Sequence, residues 1–232
     1  MSNTTPLAEV LALGSKCLQV AERAHGFFVP PRTRERKAAA AMFCRCMDQA
    51  RASLILAEAG LPIESQTMTR GLCETLFVLG ALLNGSTTVD ELEVHDRGSN
   101  AKGAKAIDDF LRREGSPELR ASVARFAVAN VGPVVSAQDF ARRADKLDLY
   151  DGFYRMLSNH AAHPSLSAVS QYFEANATLD RSRSSDASKV TAWMLAVLVQ
   201  ACAMVEKYVR TSPEVKRQIH ELLDALDSIN LA

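Results

Sequence analysis

An all-α fold, built as a single multi-helix bundle, is the class this sequence predicts. Three observations carry it. Apolar residues recur at helical spacing over long stretches, as in Met68, Leu72, Leu76, Leu79 and Leu83, which fall on one stripe of a helix. Those stretches are punctuated by Ser-Pro starts and by Gly or Pro stops. No convincing parallel-sheet pattern interrupts them, and there is neither an internal repeat nor a low-complexity tract.

The first helix is predicted over Pro6 to Ala24, where Leu7, Val10, Leu11, Leu18 and Ala21 share a face and Gly14 weakens it. His25 to Thr33 holds Gly26, Pro30 and Pro31 and reads as a connection. Arg34 to Ala59 follows as a strong helix, stopped by Gly60 and Pro62. Its basic start opposes the helix dipole, so Arg32, Arg34, Arg36 and Lys37 are expected to face solvent or a partner. Glu64 to Asn84 is the third helix, ended by Gly85. Val89 to Gly115 is polar and broken by Gly98 and Gly103, which predicts helix at both ends around a weak, mobile middle.

Pro117 at a first turn behind Ser116 starts another helix that stops near Gly132-Pro133. A short one runs from Ser136 toward Leu147, with Asp139 at a capping-box position. Beyond the stretch discussed next, Ala168 to Phe173 fits a short strand or a helical turn, and Asp180 to Asp186 a polar loop. Ser188 to Arg210 is apolar around much of its circumference, as a helix at the centre of a bundle is. Ser212-Pro213-Glu214 opens a final amphipathic helix. One helical domain spans 1–232, its core over 33–211 with 1–32 and 212–232 as flanking helices.

Composition narrows the function. Lys+Arg and Asp+Glu are both 27, so no global positive field draws in nucleic acid, and any RNA or nucleotide contact needs a local cluster. Five cysteines, an odd number scattered over apolar helical positions, read as reduced buried thiols of a cytosolic protein. The N-terminus lacks the basic and apolar regions of a signal peptide. The run Ala192 to Val205 is shorter than the ~20 residues of a membrane span. The expectation is a cytoplasmic chain without a membrane partner.

Leu149 to Ser165 (LYDGFYRMLSNHAAHPS) concentrates the potential chemistry. As a helix turning ~100° per residue, it places Arg155, Ser158, Asn159 and His163 on one broad polar face, with His160 nearer the opposite side. Pro164 should end it at His163. A histidine moves protons near neutral pH, and an arginine holds phosphate bidentately. Those roles suffice for metal-free RNA cleavage, in which a base, an acid and positive charge act on the 2′-hydroxyl, the leaving oxygen and the phosphate. The bland alternative pairs Arg155 with an acid such as Glu74 and has His163 cap helix-end carbonyls.

Arg70 and Glu74 lie four apart on the third helix and so are neighbours. They are either a structural ion pair linking helices, part of a polar pocket with the motif above, or a solvated surface pair. Metal binding has little support: Cys44 and Cys46 point to different helix faces, and His160 and His163 lack acidic or cysteine partners. No glycine-rich phosphate loop, nucleophile elbow or kinase-like pattern is present. Arg181 and Arg183 belong to a serine-rich surface loop. No cofactor is implied.

Two segments together resemble a known family. MTRGLCETLFVLGALL (Met68 to Leu83) and YDGFYRMLSNHAAHPS (Tyr150 to Ser165) are similar to the paired signatures of bacterial helical proteins catalogued as domain of unknown function 5677, whose second signature reads Y-R-x-L-S-x4-H-P-S. That group is in turn similar at fold level to the HEPN superfamily, helical bundles that often act as metal-independent RNases in toxin–antitoxin and phage-defence systems. The resemblance implies a HEPN-like bundle and a homodimer. It implies catalytic roles for Arg155 and for His160 under an R-x4-H reading, or His163 by the signature, with Glu74 orienting one of them. A cognate antitoxin or defence partner would follow.

The pocket is therefore expected to gather Arg70, Glu74, Tyr154, Arg155, Ser158, Asn159 and His163. The leading reading is a binding or regulatory module. The alternative is a HEPN-type metal-independent endoribonuclease.

Overall fold

The computed structural model describes residues 5–28, 32–114, 117–159 and 184–230. Among them all regular structure is helical. α1 (Leu7–Gly26), α2 (Arg34–Glu58) and α3 (Pro62–Leu83) come first. α4 (Val89–Glu114), α5 (Pro117–Ala129) and α6 (Ala137–Arg143) follow. α7 (Leu147–Leu149) runs straight into a π-helical turn, Tyr150–Tyr154, and α8 (Arg155–Leu157). α9 (Ser184–Val209) and α10 (Pro213–Asp227) complete the set. His160, His163, the segment Ala168 to Phe173 and the Arg181/Arg183 pair lie outside the described residues.

α9 is the central helix, packed by α1, α2, α3 and α10. Leu195, Leu198, Val199, Cys202 and Val205 are fully buried along it. They meet Cys17, Phe43, Leu72, Leu76 and Leu79 from the surrounding helices in one apolar core, each large side chain contributing roughly 1.5–3 kcal/mol of transfer free energy. By length and composition Ala187–Val209 suffices to cross a bilayer, yet 67% of its most apolar window is buried inside the bundle. The helix starts at Ser184 rather than Ser188, so the last residues of the expected polar loop are helical.

Side-chain caps fix several helix starts, each at about 1 kcal/mol. Thr33 accepts from the Arg36 amide at 3.2 Å, Ser136 from Asp139 at 3.1 Å and Ser212 from Val215 at 3.3 Å. The basic start of α2 is not left to solvent throughout. Arg34 reaches Asp90 at 2.8 Å and Glu93 at 2.7 Å, pinning the first turn of α4. The α2–α3 seam also carries buried hydroxyls: Ser53 Oγ lies 2.7 Å from Ser65 Oγ and 3.2 Å from Thr69 Oγ1. Small polar residues let these two backbones run close.

The expected break in α4 does not occur; the helix continues through Gly98 and Gly103 to Glu114. Tertiary packing explains one of the glycines. A Cβ on Gly98 would lie 2.3 Å from the Gly132 carbonyl oxygen, so the segment after α5 crosses α4 where no side chain fits. Val135 N–H donates to His95 Nδ1 at 3.0 Å and holds that crossing. A Cβ on Gly103 meets nothing within 4 Å. Gly98→Ala should therefore cost ~2 kcal/mol through a backbone clash, whereas Gly103→Ala should be neutral or stabilising by up to ~1 kcal/mol. Urea denaturation of both variants checks this, and equal effects would refute the packing explanation.

Candidate functional site

The site is built where α3 meets the π-helical turn. Tyr150 O accepts from the Arg155 amide, a five-residue step in place of the four of an α-helix. The wider turn stacks the Tyr150 and Tyr154 rings with centroids 5.0 Å apart. Both rest against Phe77 of α3, at 6.2 and 5.9 Å. Phe153 points to the other neighbour and meets Trp193 of α9 edge-on at 5.3 Å. These aromatic contacts fix the turn between two core helices. Gly152 sits in it with open space beside its Cα.

Four polar groups converge on that platform. Arg70 Nε donates to Ser158 Oγ at 2.9 Å, and Arg70 Nη2 donates to Tyr154 Oη at 2.8 Å. Nη2 also pairs with Glu74 Oε1 at 3.0 Å. Tyr154 Oη donates to the same Glu74 oxygen at 2.7 Å. Ser158 Oγ donates in turn to the Tyr154 carbonyl at 3.0 Å, which fixes its orientation. The guanidinium carbon lies 5.0 Å from the centre of the Tyr154 ring, within cation–π range.

Exposure grades across the network. Tyr154 is 7% exposed, whereas the Arg70 and Glu74 side chains are 25% and 41% exposed. The inner edge of Arg70 is thus held by protein. Nη1 carries none of the described hydrogen bonds. Burial, with the Glu74 carboxylate adding to it, pushes the Tyr154 hydroxyl up to about 12. At neutral pH it is a donor, not a base.

The structure separates Arg155 from this group. Its side chain is 65% exposed and pairs with Asp151, one turn back, at 3.6 Å. It reaches neither Glu74 nor Ser158. Tyr154 and Ser158, four residues apart, turn their side chains toward Arg70 of α3, and Arg155, ~100° round the helix from Tyr154, turns out to solvent. Asn159 follows Ser158 on the exposed side.

The expectations had passed over several groups. Tyr150 and Asp151 shape the site, and both stand four residues before a partner, a spacing visible in the sequence. Thr75 Oγ1 lies 2.9 Å from Gln49 Oε1 and braces α3 from the side facing α2. That contact has no local signal. Cys17, Cys46, Cys73 and Cys202 are buried; burial pushes the Cys17 thiol up to about 12 and raises the others as well. Among the described residues no three His, Cys, Asp or Glu side chains are grouped to hold a metal.

Comparison with known families matches residues 36–180 to a family of unknown function (DUF5677). The match takes in α2 to α8 and more than half of the chain, and the chain belongs to that family. No curated protein and no solved structure matches it.

Tyr154→Phe removes a hydroxyl that serves both Arg70 and Glu74, and should cost ~1.5–3 kcal/mol. Arg155→Ala, at an exposed pair, should change stability by less than ~1 kcal/mol. Chemical denaturation compares the two. The raised hydroxyl also sets a pH dependence. The unfolded phenol titrates near ~10 and the folded one near about 12. Its contribution is therefore complete below pH ~10 and lost as pH rises toward 12. Melting curves across that window should fall more steeply for wild type than for Tyr154→Phe.

Proposed function

We propose that this chain is a binding or regulatory module of the cytoplasm, and that Arg70 is the group it presents to an RNA or nucleotide phosphate. One observation carries the reading: Arg70 is oriented from inside through Nε and Nη2 while a quarter of its side chain stays exposed. A guanidinium fixed on one edge keeps its fork geometry without loss of rotamer freedom on binding. Glu74, half-exposed beside it, selects against ligands that bring a second negative charge to that edge. The described groups of the network are donors and a carboxylate already in use, which suits holding a ligand better than proton transfer.

A second reading, a metal-independent endoribonuclease with an antitoxin or defence partner, draws on Arg155. Its exposure and long contact to Asp151 leave the guanidinium available to a phosphate, with His160 or His163 as proton carriers and Glu74 as the acid that would orient a histidine. Both readings take a homodimer and no membrane.

The test is fluorescence anisotropy of a labelled single-stranded RNA decamer and of a labelled mononucleotide, in EDTA, with gels of the same samples. The first reading expects saturable binding without cleavage, weakened about tenfold or more by Arg70→Lys, which keeps the charge and loses the fork. Cleavage that Arg155→Ala abolishes would replace it with the nuclease. Absence of binding to either probe would leave the network as a lock between α3 and the π-helical turn.

A further inference from the structure

Of the ten large apolar side chains exposed among the described residues, six fall between residues 107 and 131. They belong to the α4–α5 hairpin. Its base is tied to the body through Arg34 of α2 and through His95 against Phe140 of α6, and is closed by the Gly98–Gly132 crossing. Beyond that base the two helices pack chiefly on each other. Two helices make one layer, and a helical layer needs a second to cover its apolar side.

The exposed side is organised. Ile107 and Phe110 of α4 are 52% and 56% exposed, and Leu119 and Phe126 of α5 are each 51% exposed. Between the helices runs a groove of about 460 Å³ whose lining includes Gly103, Ile107, Ser122 and Phe126. Small residues form holes there and large ones form knobs on the same face. That combination is self-complementary: a copy turned about a two-fold axis can seat its Phe126 or Ile107 in the groove and receive the same in return.

We propose that this face binds a second copy of the chain, hairpin against hairpin, as an antiparallel four-helix bundle. Area supports it. At ~200 Å² for a large apolar side chain, the four exposed fractions give about 400 Å² per copy, half of the ~800 Å² per partner in a stable interface. Groove and rim residues make up the remainder over a face two helices wide. Charge supports it too. Lys102, Lys105, Asp108, Asp109, Arg112 and Arg120 mix both signs along the hairpin, and a mixed surface neither repels its own copy nor favours an anionic membrane or nucleic acid. The inference does not rest on the Arg70 reading.

Sedimentation of the full chain over a concentration series tests it. Wild type should run as a dimer of 25.2 kDa subunits. Phe126→Glu and Phe110→Glu, both at exposed positions, should each weaken association ~100-fold or more with monomer melting unchanged. Val128→Glu is the control. Val128 is 78% exposed but ~160° round α5 from Phe126, so its variant should remain dimeric. A wild type that is monomeric throughout would overturn the proposal, whatever else the face then proves to bind. A dimer indifferent to Phe126→Glu and Phe110→Glu, or equally broken by Val128→Glu, would also overturn it.

Discussion

The outer side of this bundle depends on one arginine being satisfied from within. Arg70 brings a full charge to a quarter-exposed position, and such a charge is stable only if hydrogen-bonded and paired. α3 supplies Glu74 from its own next turn; the remaining acceptors come from Tyr154 and Ser158 across the interface. Those two side chains stand four residues apart, at the end of the π-helical turn Tyr150–Tyr154 and one helical turn beyond it. The aromatic contacts to Phe77 and Trp193 offset what the irregular turn costs. Packing, backbone irregularity and the polar network are therefore one arrangement seen at three levels.

A division of labour between two arginines follows. Arg70 is buried on one edge and belongs to the interior; Arg155 is exposed and held loosely by Asp151. An interior arginine contributes orientation, whereas an exposed one contributes charge that solvent largely screens. The hairpin of α4 and α5 stands apart from both. Its charges are mixed, and Ala104 and Leu111 are buried while Ile107, Phe110, Leu119 and Phe126 face outward, which is the basis of the association proposed for it.

The sequence made legible those elements whose signals are local. Periodic leucines and the Ser-Pro start at 212–213 located α3 and α10 to within about two residues. The Ser136/Asp139 cap of α6 was likewise readable. The continuity of α4 was not, because Gly98 is explained by Gly132, a residue that only the fold brings near. For the same reason the expectation that Arg34 faces solvent or a partner could not name Asp90 and Glu93, which lie on another helix. At the site, the i, i+4 pairing of Arg70 with Glu74 was legible. The position of Arg155 was not, because the side of the segment that turns to α3 is settled by Tyr154 and Ser158 meeting Arg70, 84 and 88 positions away in the chain.

The central claim is that Arg70 and Tyr154 stabilise one another across the α3 interface. A double-mutant cycle combining Arg70→Ala with Tyr154→Phe, followed by urea denaturation, measures that coupling directly. The structure predicts a coupling of ~1–2 kcal/mol, the effects of the two substitutions being strongly non-additive. Additivity within ~0.3 kcal/mol would contradict it, and would reduce the network to neighbouring side chains with no shared energy.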